Sequence, residues 1–220
     1  MPTSIKPDFE KAYVKANEML IKSSVIRSFT FSPKELVKEQ SSIACRSYET
    51  ARKYGVNIAD FGSDSATIFR FGDKSIIFFD ETKPAPHINF SILHEFGHDR
   101  LGHDFTNKDE EIYGKYEIET NFFAAQILMP EQIIREMQKR GKRITCPFLQ
   151  SAFGVSAEAA KKRIETLAKT NSEWRSKVER EFDDIILSRY SDFINKMCPI
   201  QNYYNLEDEY MRQQERNSLY

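Results

Sequence analysis

"FSILHEFGHDRLGH", Phe90 to His103, decides how the rest of the chain is read. The chain has 220 residues and four histidines, and His94, His98 and His103 all fall on this one segment. On a helix, His94 and His98 stand one turn apart on the same face. Two imidazoles so placed can share one metal ion. Glu95 sits about 100° further round, at 3.6 residues per turn. It is too far round to be a third ligand on that face, yet within reach of a water beside the metal. HExxH is therefore two ligands plus a general base for hydrolytic chemistry. The plain alternative is a helix with two surface histidines, so the missing parts of a catalytic site have to be found.

A catalytic zinc takes three protein ligands and keeps one open position. His103 lies five residues past His98. The three-histidine zincin pattern HExxHxxGxxH has its glycine where Leu101 stands and its histidine where Asp104 stands, so His103 reads as a helix-end histidine. The second candidate segment is "YEIETNFFAAQILMP", Tyr116 to Pro130, which offers Glu117 and Glu119. At about 100° per residue, Glu117, Asn121, Ala124 and Leu128 share one stripe, and Glu119 falls on the far side beside Gln126. The stripe with small and apolar residues is the one expected to be buried. An inward carboxylate is expensive unless it is paired or binds a metal. Glu117 is thus the expected third ligand; Glu119 is expected to face water and stands as the alternative. Asn121, one turn beyond Glu117, is placed to brace a ligand imidazole.

These segments resemble the ImmA/IrrE family of metallopeptidases. "HEFGH", with its following "GH", matches that family's HELGH, and "EIETNFFAAQILMP" matches its ExxANxFAAxLLMP. The preceding "GDKSIIFFDETKP" and "INFSILHEFGH" are similar to the family's sheet and active helix. The likeness covers about residues 48–168. It departs at Thr120, where the family usually has alanine, and at Phe96, where it usually has leucine. The resemblance implies peptide-bond hydrolysis with one zinc per chain, held by His94, His98 and Glu117. Glu95 would move the proton. The nearest candidates in sequence to donate to the oxyanion are His87, Tyr113 and Tyr116. The resemblance also suggests the substrate, a helix-turn-helix repressor of a mobile element or stress regulon. Two readings of another class stand beside this one: a regulator that binds DNA or a repressor without cutting, and a partner in a toxin–antitoxin pair. Two histidines and a carboxylate also suit Fe(II) or Mn(II).

The rest of the chain supplies context. Residues 8–22 have the periodicity of an amphipathic helix, and Ser32-Pro33 reads as the start of a second helix running to about Tyr54. Two β-rich runs, 66–71 and 74–80, flank Gly72-Asp73 as a hairpin, and the strand 74–80 could form the sheet edge over the site, with Ile76 to Phe79 as plain buried sheet the alternative. Helices follow over about 88–102, 109–128, 130–140, 145–152, 156–169 and 171–196. The fold class expected is α+β: mainly helical, with a small antiparallel sheet packed on a zincin-like HExxH helix. Residues 1–130 would form the metallopeptidase domain, 131–170 a helix-turn-helix-like subdomain and 171–220 a C-terminal helix and tail. Residues 130–170 carry nine Lys/Arg against four Asp/Glu, with Lys161, Lys162 and Arg163 on the second helix of the pair. That is a weak case for DNA, and the net charge of −1 gives no support for a polyanionic partner. Three cysteines far apart suit a reducing cytoplasm. No apolar run approaches the roughly 20 residues that span a membrane, and no signal peptide is read at the N-terminus.

Overall fold

The structure, a computed structural model, describes residues 6–61, 63, 65–72, 74–104, 109–170 and 175–199, together with 210, 211, 213, 214 and 216. In chain order the elements are α1 (Phe9–Lys22), α2 (Pro33–Gln40), β1 (Ala44–Ser47), α3 (Tyr48–Lys53), a 3₁₀ turn (Ile58–Phe61), β2 (Ala66–Phe71), β3 (Lys74–Phe79), α4 (Ala85–Arg100), α5 (Glu110–Leu128), α6 (Glu131–Lys139), α7 (Cys146–Phe153), α8 (Ala157–Lys169), α9 (Lys177–Arg189) and α10 (Ser191–Met197). The molecule is mainly helical with one small sheet, the α+β class expected.

The sheet holds a strand that the sequence did not announce. Its order is β1-β3-β2, with β2 antiparallel to β3 and β1 parallel to it. The expected long second helix therefore breaks into α2, β1 and α3. The serine pair at 41–42 ends α2, with the Ser41 hydroxyl donating back to the Val37 carbonyl. β1 is four residues long and parallel, so it shows neither alternation nor a hairpin turn. The sheet edge is also reassigned. β3 is the central strand, and β2 is the edge that meets α4. Gly72 takes the left-handed turn expected at the hairpin, with φ of 57°; Asp73 lies outside the described residues.

α4 begins earlier than the two prolines suggested, at Ala85, because Pro86 falls in the first turn, where no backbone N–H is needed. α5 packs against α1 and α4. Phe122 of α5 meets Phe9 and Tyr13 of α1, while Gly97 of α4 lets the backbone come close to Thr120 and Phe123. α5 is therefore buried on two faces. One apolar cluster runs from Ala12 in α1 through Ile92, Phe96, Phe123 and Ile133 to Phe153, Ile186 and Ile194. The expected C-terminal helix appears as α9 and α10, and Trp174 and most of the tail lie outside the described residues.

Candidate metal centre

α4 and α5 bring three donor groups to one point. His94 Nε2 lies 3.2 Å from Glu117 Oε2, His98 Nε2 lies 3.3 Å from Glu117 Oε1, and the two Nε2 atoms are 3.3 Å apart. These spacings allow a direct test of fit. Ligands at 2.0–2.1 Å in a tetrahedron stand about 3.3 Å from one another; the two imidazole nitrogens stand at that separation, and each lies as far from one of the two Glu117 oxygens. The donor chemistry, two imidazoles and a carboxylate, is that of a catalytic dication site. Both Nε2 atoms face the point, and both Nδ1 atoms are engaged elsewhere. His94 Nδ1 meets Asn121 Oδ1 at 3.2 Å, and His98 Nδ1 meets His103 Nδ1 at 3.0 Å.

Glu95 belongs to the same cluster but is aimed differently. His94, Glu95 and His98 offer ligand atoms within 4.8 Å of one another. The Glu95 Oε2 accepts the backbone N–H of Ile68 on β2 at 2.8 Å, which holds the carboxylate between the helix and the sheet edge. Burial pushes Glu95 up to about 7, and the charge of Glu117 adds to the rise. Burial also opposes ionisation of Glu117, yet the two imidazoles bonded to it hold that carboxyl well below the usual range. Of two carboxylates side by side, one is fixed as an anion and the other is poised near neutrality, the division that acid–base chemistry needs.

Glu119 does not face water, and it is not at the point where the donors meet. It is 3% exposed and bonds His103, Lys115 and the backbone N–H of Asp8. The helical-wheel expectation failed because α5 is covered on both sides: the far face meets α1, where Gln126 too is fully buried. Asn121 in turn is exposed to the cleft.

The point lies in a cleft of about 940 Å³. β2 walls one side through Ala66, Thr67 and Ile68, and α5 contributes Tyr113, Ile118 and Phe122. α8 forms a further wall with Ala159, Lys162, Thr166 and Lys169. The three suggested oxyanion donors separate here. Tyr113 and His87 line the cleft. Tyr116 instead stacks on the His103 ring, with centroids 4.0 Å apart and planes 10° from parallel. Burial, then the nearby Glu117 charge, pushes the Tyr113 phenol up to about 12, so its proton stays in place at neutral pH.

Residues 51–165 match the family described as the IrrE N-terminal-like domain, a family of peptidases. The chain belongs to that family. The match takes in just over half of the chain and includes all of β2, β3, α4, α5, α6 and α7. No curated protein matches it. The IrrE-like match stops within α8, so the cleft is built almost wholly from family sequence, and α1 is added from outside it.

The helix-turn-helix-like pair is present as α7 and α8, but one of its three basic residues is not on a surface. Arg163 is 2% exposed and donates to the Met129 carbonyl and to Gln126 Oε1. It ties α8 to the end of α5. Lys162 faces the metal cleft and pairs with Glu158 at 2.8 Å. The face of α8 that would enter a DNA groove is thus partly core and partly cleft wall.

Proposed function

We propose that this IrrE-like protein is a zinc-dependent endopeptidase that cuts a helix-turn-helix repressor in the cytoplasm. The observation that carries the reading is the convergence of His94, His98 and Glu117 within 3.2–3.3 Å of one another, with Glu95 in the same cluster and one of its oxygens held by the Ile68 N–H. A structural zinc has no use for an adjacent general base and is closed by a fourth protein ligand. His94, His98 and Glu117 would hold the ion, one per chain. A dication held there lowers the pKa of water and draws electrons from a carbonyl oxygen.

The protein groups do the rest. Glu95 takes a proton from the attacking water and delivers it to the leaving amine, returning to its starting state. Its bond to the Ile68 N–H fixes which oxygen is free to do so. Tyr113, protonated and lining the cleft, would donate to the oxyanion, and His87 is the second candidate. The outer edge of β2 offers backbone groups along which an extended peptide can be held.

The test mixes the purified chain and zinc with helix-turn-helix repressors from the same genome, and follows fragments by mass spectrometry. Wild type is expected to cut at one bond. Glu95→Gln should keep its zinc and lose roughly 10²–10⁴-fold in rate, as removal of an acid–base group does. His94→Ala and Glu117→Ala should lose zinc and activity together. Equal cutting by wild type and Glu95→Gln would end the mechanism. Tight binding of the repressor without cutting by either would favour a binding regulator.

A further inference from the structure

His103 is absent from the proposed chemistry, yet it is 3% exposed and sits against a metal-site histidine. Its position follows from how α4 ends. Gly102 takes a left-handed φ of 65°, its N–H bonds the Asp99 carbonyl, and the His103 N–H bonds the His98 carbonyl at 3.0 Å. This paired closure turns the chain back over the last helical turn. The His103 ring is thereby laid beside the His98 ring.

The hydrogen bonds then run in one direction only. A His98 whose Nε2 lone pair faces a metal carries its proton on Nδ1. That N–H meets His103 Nδ1 at 3.0 Å, which must accept. His103 then carries its own proton on Nε2, which meets Glu119 Oε2 at 2.9 Å. Glu119 is an acceptor only, and its other oxygen accepts the Asp8 N–H at the start of α1. Lys11, one turn on, donates to the Leu101 carbonyl beside the same helix end. Each donor meets an acceptor, and no other tautomer of either ring satisfies the row.

We propose that His103 and Glu119 are positioning residues for the metal centre: the Glu119 carboxylate on α5, which also accepts the Asp8 N–H at the start of α1, acts through His103 to fix the tautomer and ring plane of His98. This rests on the metal reading above and adds to it a chain of control reaching outside the family-matched segment. Asn121 does the corresponding work for His94 with a single group; His98 is held by two in series. Partners of this kind typically change metal affinity 10–100-fold when removed.

The experiment measures zinc affinity by chelator competition in His103→Phe, His103→Gln and Glu119→Gln, with thermal melts of each protein without metal. Phenylalanine keeps the stack on Tyr116 and removes the acceptor. Glutamine restores an acceptor and a donor in series. The expected result is zinc binding 10–100-fold weaker for His103→Phe, within a few-fold of wild type for His103→Gln, and intermediate for Glu119→Gln. Cobalt(II) loaded in place of zinc should show an altered visible spectrum in His103→Phe only. Equal zinc affinity in the folded fraction of wild type and His103→Phe would overturn the inference alone. Wild type that binds no zinc would overturn the metal reading and this inference together. If His103→Phe does not fold, the Glu119→Gln affinity decides: unchanged affinity overturns it.

Discussion

Glu95 lies buried next to Glu117, with its carboxyl raised to about 7, against an ordinary value near 4.5. In the metal-free protein this has a sign that can be worked out. The folded pKa is above the unfolded one, so between about pH 4.5 and 7 the folded state holds the extra proton. Stability from this group is therefore lost as pH rises through that window. Glu95→Gln removes the loss. After chelation, the variant should match wild type in thermal melts near pH 4.5 and exceed it at pH 8 by on the order of 1–3 kcal/mol. A variant no more stable than wild type at pH 8 would show that the carboxylate is better solvated than its burial suggests. At this scale the sequence was legible where one helix sets the geometry: His94, Glu95 and His98 follow from 3.6 residues per turn alone. Glu119 was misread because its surroundings come from α1, more than a hundred residues away in sequence. The role of His103 was hidden because it depends on a left-handed turn at Gly102, which folds a residue past the helix end back onto the helix.

Between elements, Gly97 lets α4 and α5 approach closely. A methyl group there would stand 2.9 Å from Phe123 Cδ1 and 3.3 Å from Thr120 Cγ2, and Phe123 is fully buried. Alanine favours a helix over glycine by about 1 kcal/mol, while overpacking costs about 1–3 kcal/mol. Gly97→Ala should therefore melt at a lower temperature. It should also bind zinc more weakly, since pushing α5 from α4 moves Glu117 away from both imidazoles. A variant with unchanged melting and zinc affinity would show that the two helices slide freely. The start of α2 was legible in the sequence through its cap, Ser32 before Pro33; in the structure Asp8, Asp109, Thr145 and Ser156 likewise each accept a first-turn N–H. β1 was not legible, since a four-residue parallel strand is defined by its partner β3 and not by its own pattern.

At the scale of the molecule, Arg163 is the largest fully buried side chain among the described residues, and it joins α8 to the end of α5. Burial lowers its pKa to about 10, which leaves it charged at neutral pH. Arg163→Ala removes the guanidinium donor from the Met129 carbonyl and leaves Gln126 Oε1 with only the Glu131 N–H, and should cost about 2–4 kcal/mol in urea unfolding. Lys161→Ala with Lys162→Ala should stay within about 0.5 kcal/mol of wild type, as exposed positions do. Similar losses in both would mean that the basic run acts as one unit. The sequence showed the helix pair but not its orientation, because a helix-turn-helix pattern reports two packed helices and says nothing of what the outer face meets. That face closes a cleft of about 940 Å³, near the upper size of small-ligand pockets. An extended strand of a few residues fits such a space; a folded domain does not. For a peptidase with this cleft, the turnover of a target would follow how often that target's linker opens away from its own fold. A repressor with a stiff linker would then survive beside one with the same cut sequence in a loose linker, and selectivity would reside in the target's motion as much as in its residues.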